Sequence, residues 1–227
     1  MATGAPTRTT TGQPPMPTDP RALLVLTQWL SPAYPLGSFA YSHGLESAVA
    51  EGFVTPHTLE DWLTDLLAHG SGRTDAILLH AAARGEEPDT LAHWARAITP
   101  AAERAREAER QGTAFARHTA AIWGIDLPPV PLPVAVGRAC WLLDLDADLA
   151  AALYLQGFLA NLVAAAQRMM PLGQTDAHAI LARLAPLIAE TAEDTEGRDT
   201  DDLTGCAFLS DIAALRHETL TPRIFQS

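Results

Sequence analysis

Thr55-Pro-His-Thr-Leu59-Glu-Asp-Trp62-Leu63-Thr-Asp-Leu66-Leu67-Ala-His-Gly70 sets the fold class. Leu59, Trp62, Leu63, Leu66 and Leu67 recur at i, i+3, i+4, i+7 and i+8, which places them on one stripe of an α-helix, with Thr55 and Pro56 at its start and Gly70 at its end. The same period predicts helices near 22–30, 75–84, 89–98, 101–123, 133–143, 148–170, 175–192 and 206–217. Pro186 should kink or split the 175–192 helix, because it lacks an N–H and crowds the preceding turn. Alternating Val/Ile/Thr/Tyr runs bounded by Asn-Gly or Asp-Gly are missing, so no strand is predicted. The expectation is an all-α, single-domain helical bundle of about eight to ten helices over 21–227. Residues 1–20 hold Pro6, Pro14, Pro15, Pro17 and Pro20 and little apolar surface, which predicts a disordered arm.

Composition narrows the chemistry. The 227 residues have a mean hydropathy of +0.04 and are 48% hydrophobic, enough for a substantial core. All 15 basic residues are Arg, so Schiff bases and the phosphate-binding lysine of a P-loop are excluded. A net charge of −12 opposes nucleic acid and anionic membrane as partners. The run after Arg21 reads as a helix face rather than a signal core, since Thr27 and Gln28 interrupt it. Gln156, Asn161 and Gln167 are expected to bar the most apolar segment from spanning a membrane. Cys140 and Cys206 lie among apolar neighbours and are expected to be buried free thiols in a reducing cytosol. Seven acids between 190 and 202 predict a solvated loop.

Three elements stand out. Ser31-Pro-Ala-Tyr-Pro35-Leu-Gly37-Ser-Phe-Ala-Tyr41-Ser42-His43-Gly-Leu-Glu46 is a loop shaped by Pro and Gly. Its Ala40-Tyr-Ser42-His-Gly44 is a degenerate nucleophile elbow, so a serine hydrolase using Ser42 is one reading. The elbow needs a preceding buried strand, and Pro32, Pro35 and Gly37 argue against one. The eight His include no i, i+3 or i, i+4 pair, and His43 with Glu46 or Asp89 with His93 are weak candidates, so no prebuilt metal site is predicted and a nickel storage protein is the second rival. Gln167-Arg168-Met-Met-Pro171-Leu-Gly-Gln174 is a helix stop. In the ending His217-Glu218-Thr-Leu-Thr-Pro-Arg223-Ile-Phe225-Gln-Ser227, Ile224 and Phe225 predict a tail that docks in a groove of this chain or of a partner.

The block at Ser31 to Glu46, the stretch Glu103-Arg-Ala-Arg106-Glu107 to Gly112, the Pro171-Leu-Gly-Gln174 turn and the 217–227 ending together resemble the UreF family of urease accessory proteins, in the family's order and spacing. Tyr34, Ile224 and Gln226 depart from its commoner Phe, Leu and Arg, and the last puts in doubt any contact needing a second tail cation. The resemblance implies an all-helical, cytoplasmic, non-enzymatic homodimer that acts as a chaperone of urease maturation and nickel insertion. It implies binding to the scaffold UreD (UreH), recruitment and regulation of the GTPase UreG, and action on apo-urease, with nickel and GTP handled by the partners and no cofactor of its own. On this reading Ser31, Pro35, Gly37, Tyr41, Ser42, His43, Glu46, Arg168, Gln174, His217, Glu218, Arg223, Phe225 and Ser227 are partner-binding. The segment 217–227 is expected to dock on UreD and to be less ordered without it. Arg168 falls on a basic position implicated in control of the GTPase.

Overall fold

A computed structural model describes residues 19–227; the predicted arm lies almost wholly outside them. The described residues form α1 (Pro20–Trp29), α2 (Leu45–Ala50), α3 (Leu59–His69), α4 (Ser71–Ala83), α5 (Pro88–Ile98), α6 (Ala102–Trp123), α7 (Leu132–Leu143), α8 (Ala147–Met169), α9 (Gln174–Thr195) and α10 (Phe208–His217), with 3₁₀ turns at Ser38–Ala40 and Thr200–Asp202 and no strand. The all-α expectation holds, and each predicted helix appears within a few residues of its predicted ends.

The helices wrap around α4, which packs on α3, α5, α7, α8 and α9. Ala76 to Ala82 are almost entirely inaccessible: all but His80 are apolar, and the His80 ring lies 3.2 Å from the Ala192 carbonyl oxygen. At the α4–α7 crossing a Cβ on Gly137 would lie 2.1 Å from the Leu79 carbonyl oxygen, so only glycine permits this approach. Trp29 meets the edges of Phe115 and Trp123 at ring-centre separations of 5.4 and 5.3 Å, tying α1 to α6.

Several expectations change. Asp19 and Pro20, assigned to the arm, start α1: the Asp19 carboxylate accepts from the Arg21 N–H at 2.9 Å, and Pro20 occupies a position where no N–H is needed. Pro186 does not split α9. It lies on the exposed side, and the Ala182 carbonyl it leaves free is also on the exposed side, where water can reach it. The acidic run is only partly a loop, because α9 continues through Glu190, Glu193 and Asp194, and Asp199 caps the second 3₁₀ turn. Cys140 is buried but Cys206 is exposed, in the connection leading into α10. One described helix, α8, is long and apolar enough to cross a membrane despite its Gln and Asn residues; half of that stretch is buried against the rest of the fold.

Candidate functional site

The loop 31–46 is more structured than its Pro/Gly content suggests. Gly37 (φ +73°) enters the 3₁₀ turn, and Gly44 (φ +78°) enters α2. A Cβ at Gly37 would meet nothing within 4 Å, so a valine there would act by straining the backbone. At Gly44 a Cβ would lie 2.5 Å from the Ala214 nitrogen, because α2 crosses α10 there. His43, between them, takes φ +56°, an uncommon conformation for a side chain bearing a ring.

Beside this loop, α6 turns an acidic row inward. Glu103, Glu107 and Gln111 follow one another at i+4 with Phe115 and are all buried. The tail lies against the row. Glu46 Oε1 accepts from the Ile224 N–H at 2.6 Å, and its Oε2 accepts from the Phe225 N–H at 2.9 Å and contacts His217 Nε2 at 3.1 Å. The other nitrogen of His217 lies 2.7 Å from Glu103 Oε2, while Arg223 Nη1 donates to Glu103 Oε1 at 2.6 Å. Glu107 receives His43 Nε2 at 2.7 Å, the Ser227 hydroxyl at 2.7 Å and the Arg104 guanidinium. The Ser42 N–H and hydroxyl both donate to the Ser227 main-chain oxygen, at 2.9 and 2.5 Å, and the Gln226 N–H donates to the Ala40 carbonyl. Glu218 accepts from the Glu103 N–H at 3.3 Å, placing a carboxylate on the positive end of α6. The Arg168 guanidinium stacks 4.3 Å from the centre of the Phe225 ring and donates to the Phe39 carbonyl at 2.8 Å.

The charges follow from this packing. Burial would raise the Glu107 carboxyl, but Arg104, His43 and the Ser227 hydroxyl outweigh it and hold it down at about 2. Burial likewise opposes ionisation of Glu103, and His217 and Arg223 overcome it, leaving it below the usual carboxylate range. Burial and then Arg104 lower His43, favouring neutral imidazole. With Nε2 donating to Glu107, its buried Nδ1 has no partner. Behind it, burial raises Asp75 to about 6, although the Tyr154 hydroxyl donates to it at 2.7 Å.

The structure therefore brings together Tyr41, Ser42, His43, Glu46, Arg168, His217, Glu218, Arg223, Phe225 and Ser227, on chain segments far apart in sequence. Ser31 and Pro35 stay at the loop's outer edge, and Gln174 is the exposed first residue of α9, with no side-chain hydrogen bond among the described residues. Two expectations are corrected. The tail occupies a groove of its own chain, with Phe225 only 3% exposed, where the expectation had it docked on a scaffold. Tyr41, Ser42, His43, Glu46, His217, Phe225 and Ser227 are buried and hold the tail, so they are not free docking surface. His43 and Glu46 do not pair with each other: each reaches across to a different element. Sequence reasoning gave Glu103 and Glu107 no role of their own; carboxylates on the same face as Phe115 were the available signal.

The UreF family model matches residues 54–185. The chain is 54% identical over 207 residues to the urease accessory protein UreF of Cereibacter sphaeroides, covering 91% of this chain and 99% of that one. The corresponding protein of a Ruegeria species is 52% identical over 210 residues (91% and 98% covered), and that of Paracoccus denitrificans 46% over 211 residues (92% and 98%). With over half of its length matching the family model and its relatives aligned nearly end to end, the chain belongs to the UreF family of urease accessory proteins.

Proposed function

We propose that the chain is a non-catalytic coupling protein of urease metallocentre assembly, acting as a cytoplasmic homodimer that binds the scaffold UreD (UreH), recruits and regulates the GTPase UreG, and presents them to apo-urease. Nickel is cargo on this reading, and GTP belongs to the partner. Family membership supports the process. The observation that carries the non-catalytic part is the setting of Ser42, whose hydroxyl is fully buried and spent on the Ser227 oxygen instead of facing a histidine base. That setting gives the hydrolase reading no support. Nor does any group of three His, Cys, Asp or Glu side chains among the described residues converge as metal ligands, so the storage reading gains none either.

Docking is supported by what the fold leaves uncovered. Phe208, Leu209, Ile212 and Leu215 of α10 remain exposed in a row, and the Ile224 side chain stands 62% exposed on the outer side of the tail. Arg168 is exposed and braced on Phe225 and Phe39, so a role in orienting a partner loop is consistent with its position. The test is co-purification of the tagged chain with the urease-operon proteins, with and without GTP and Ni2+. Capture of UreD, and of UreG only through it, is expected, and Phe208→Arg with Leu215→Arg should abolish homodimerisation in sedimentation. Esterase turnover lost on Ser42→Ala, or a chain that captures neither partner, would overturn the proposal.

A further inference from the structure

The outer face of α6 flanks its acidic inner row. Arg106, Arg110, Thr113 and Arg117 follow at i, i+4, i+7 and i+11 and are all exposed, a row about 17 Å long at 1.5 Å per residue. In a chain with 27 acidic residues to 15 arginines, these three arginines have no carboxylate partner among the described residues, whereas Arg183 pairs with Glu60 and Arg198 with Asp194. The undescribed residues 1–18 contain no Asp or Glu and cannot supply one. The tail meets the row near one end: Arg110 Nη1 donates to Gln226 Oε1 at 3.2 Å, and Arg106, Arg110 and Arg223 line an open depression of about 300 Å³ whose acids, Glu103 and Glu107, are already engaged by His217, Arg223, His43 and Arg104. A second depression, of about 390 Å³, continues past Arg110 to Thr113 and Arg117; the only acid lining it, Glu109, is engaged by Arg96.

We infer that this face of α6 docks an acidic segment of a partner protein, with carboxylates at helical spacing meeting Arg106, Arg110 and Arg117. Guanidinium groups suit carboxylates through paired, parallel N–H donors. The row is straight and shallow, unlike the cradle that encloses a nucleotide phosphate. It is also short, and a long polyanion would run off it onto a molecule of net charge −12. The inference stands on charge and geometry alone, whether or not the partner belongs to urease maturation.

The test uses the full chain and fluorescence anisotropy of a labelled alanine-based helical peptide with glutamates four residues apart, beside its glutamine counterpart. The glutamate peptide should bind at about 50 mM salt and be released at about 500 mM, where screening is strong, and the glutamine peptide should not bind. Arg106→Glu with Arg110→Glu and Arg117→Glu should weaken binding at least tenfold, while Arg21→Glu, an exposed arginine on another helix, should leave it unchanged. Should the reversed triple variant lose helicity, the triple Arg→Gln variant is read instead, with the same loss expected. Absence of salt-sensitive binding, an equal loss in Arg21→Glu, or tighter arginine-dependent binding of a single-stranded oligonucleotide would overturn the inference.

Discussion

The α4–α7 crossing and the tail groove are both buried, but they are held by different physics. At the crossing, apolar side chains and a glycine allow two backbones to touch, and shape does the work. In the groove, three carboxylates receive main-chain amides, two histidines, two arginines and a serine hydroxyl, so the fit depends on which groups are ionised. The tail should therefore be releasable by removing charge while the helical core stays intact, whereas disturbing the crossing should take the whole fold with it.

The largest effect should come from the crossing. Gly137→Val forces a side chain into the Leu79 carbonyl and should cost over ~3 kcal/mol, read as loss of cooperative thermal unfolding by circular dichroism. Glu46→Ala removes the acceptor for two tail amides and a partner of His217. Breaking a buried charged network of this kind costs about 3–5 kcal/mol locally, so the tail should become protease-sensitive at near-native helical content. If Glu46→Ala abolished helicity as fully as Gly137→Val, the two regions would be one cooperative unit.

Acid should separate the regions further. Glu107 is held at about 2, below its ordinary 4.5. A depressed carboxylate contributes stability that is present above pH ~4.5 and lost as pH falls toward ~2, here about 3 kcal/mol. Glu103 acts in the same direction. Neutral His43 also resists protonation when folded, so its contribution is present above about 6.5 and declines below it. Stability measured by urea melts should therefore fall steeply below pH ~4.5, and Glu107→Gln should flatten that slope. Asp75 has the opposite sign. Raised to about 6, it imposes a penalty that is full above pH 6 and relieved as pH falls toward 3.8. Asp75→Asn keeps an acceptor for Tyr154 and should raise the melting temperature at pH 8 by a few degrees, less at pH 5.

The crossing was more legible in the sequence than the groove. Leu59, Trp62, Leu63, Leu66 and Leu67 announce α3 by period alone, and the Ala/Leu-rich stretch Ala76–Ala82 of α4, apolar but for His80, reads as a buried helix in the same way. Helix ends were legible where the cap is local, as at Gly70, and missed by two residues at Pro20 and four at Ser71. The unusual loop and tail could be singled out as residues but not joined, because Ser42 and Ser227 are 185 positions apart and no period connects them. An apolar tail also reads the same whether its groove lies in this chain or in another. The outer arginine row escaped notice because charge at helical spacing is the ordinary dress of an exposed face; only the missing carboxylates distinguish it.

Hydrogen–deuterium exchange at the Ile224 and Phe225 amides of the isolated chain reads whether charge alone holds the tail in its groove. Both should be protected in the wild type by Glu46, and Glu46→Ala should expose them while the amides of α4 keep their protection. Free exchange of the wild-type tail amides, or loss of α4 protection together with theirs, would contradict a charge-held tail.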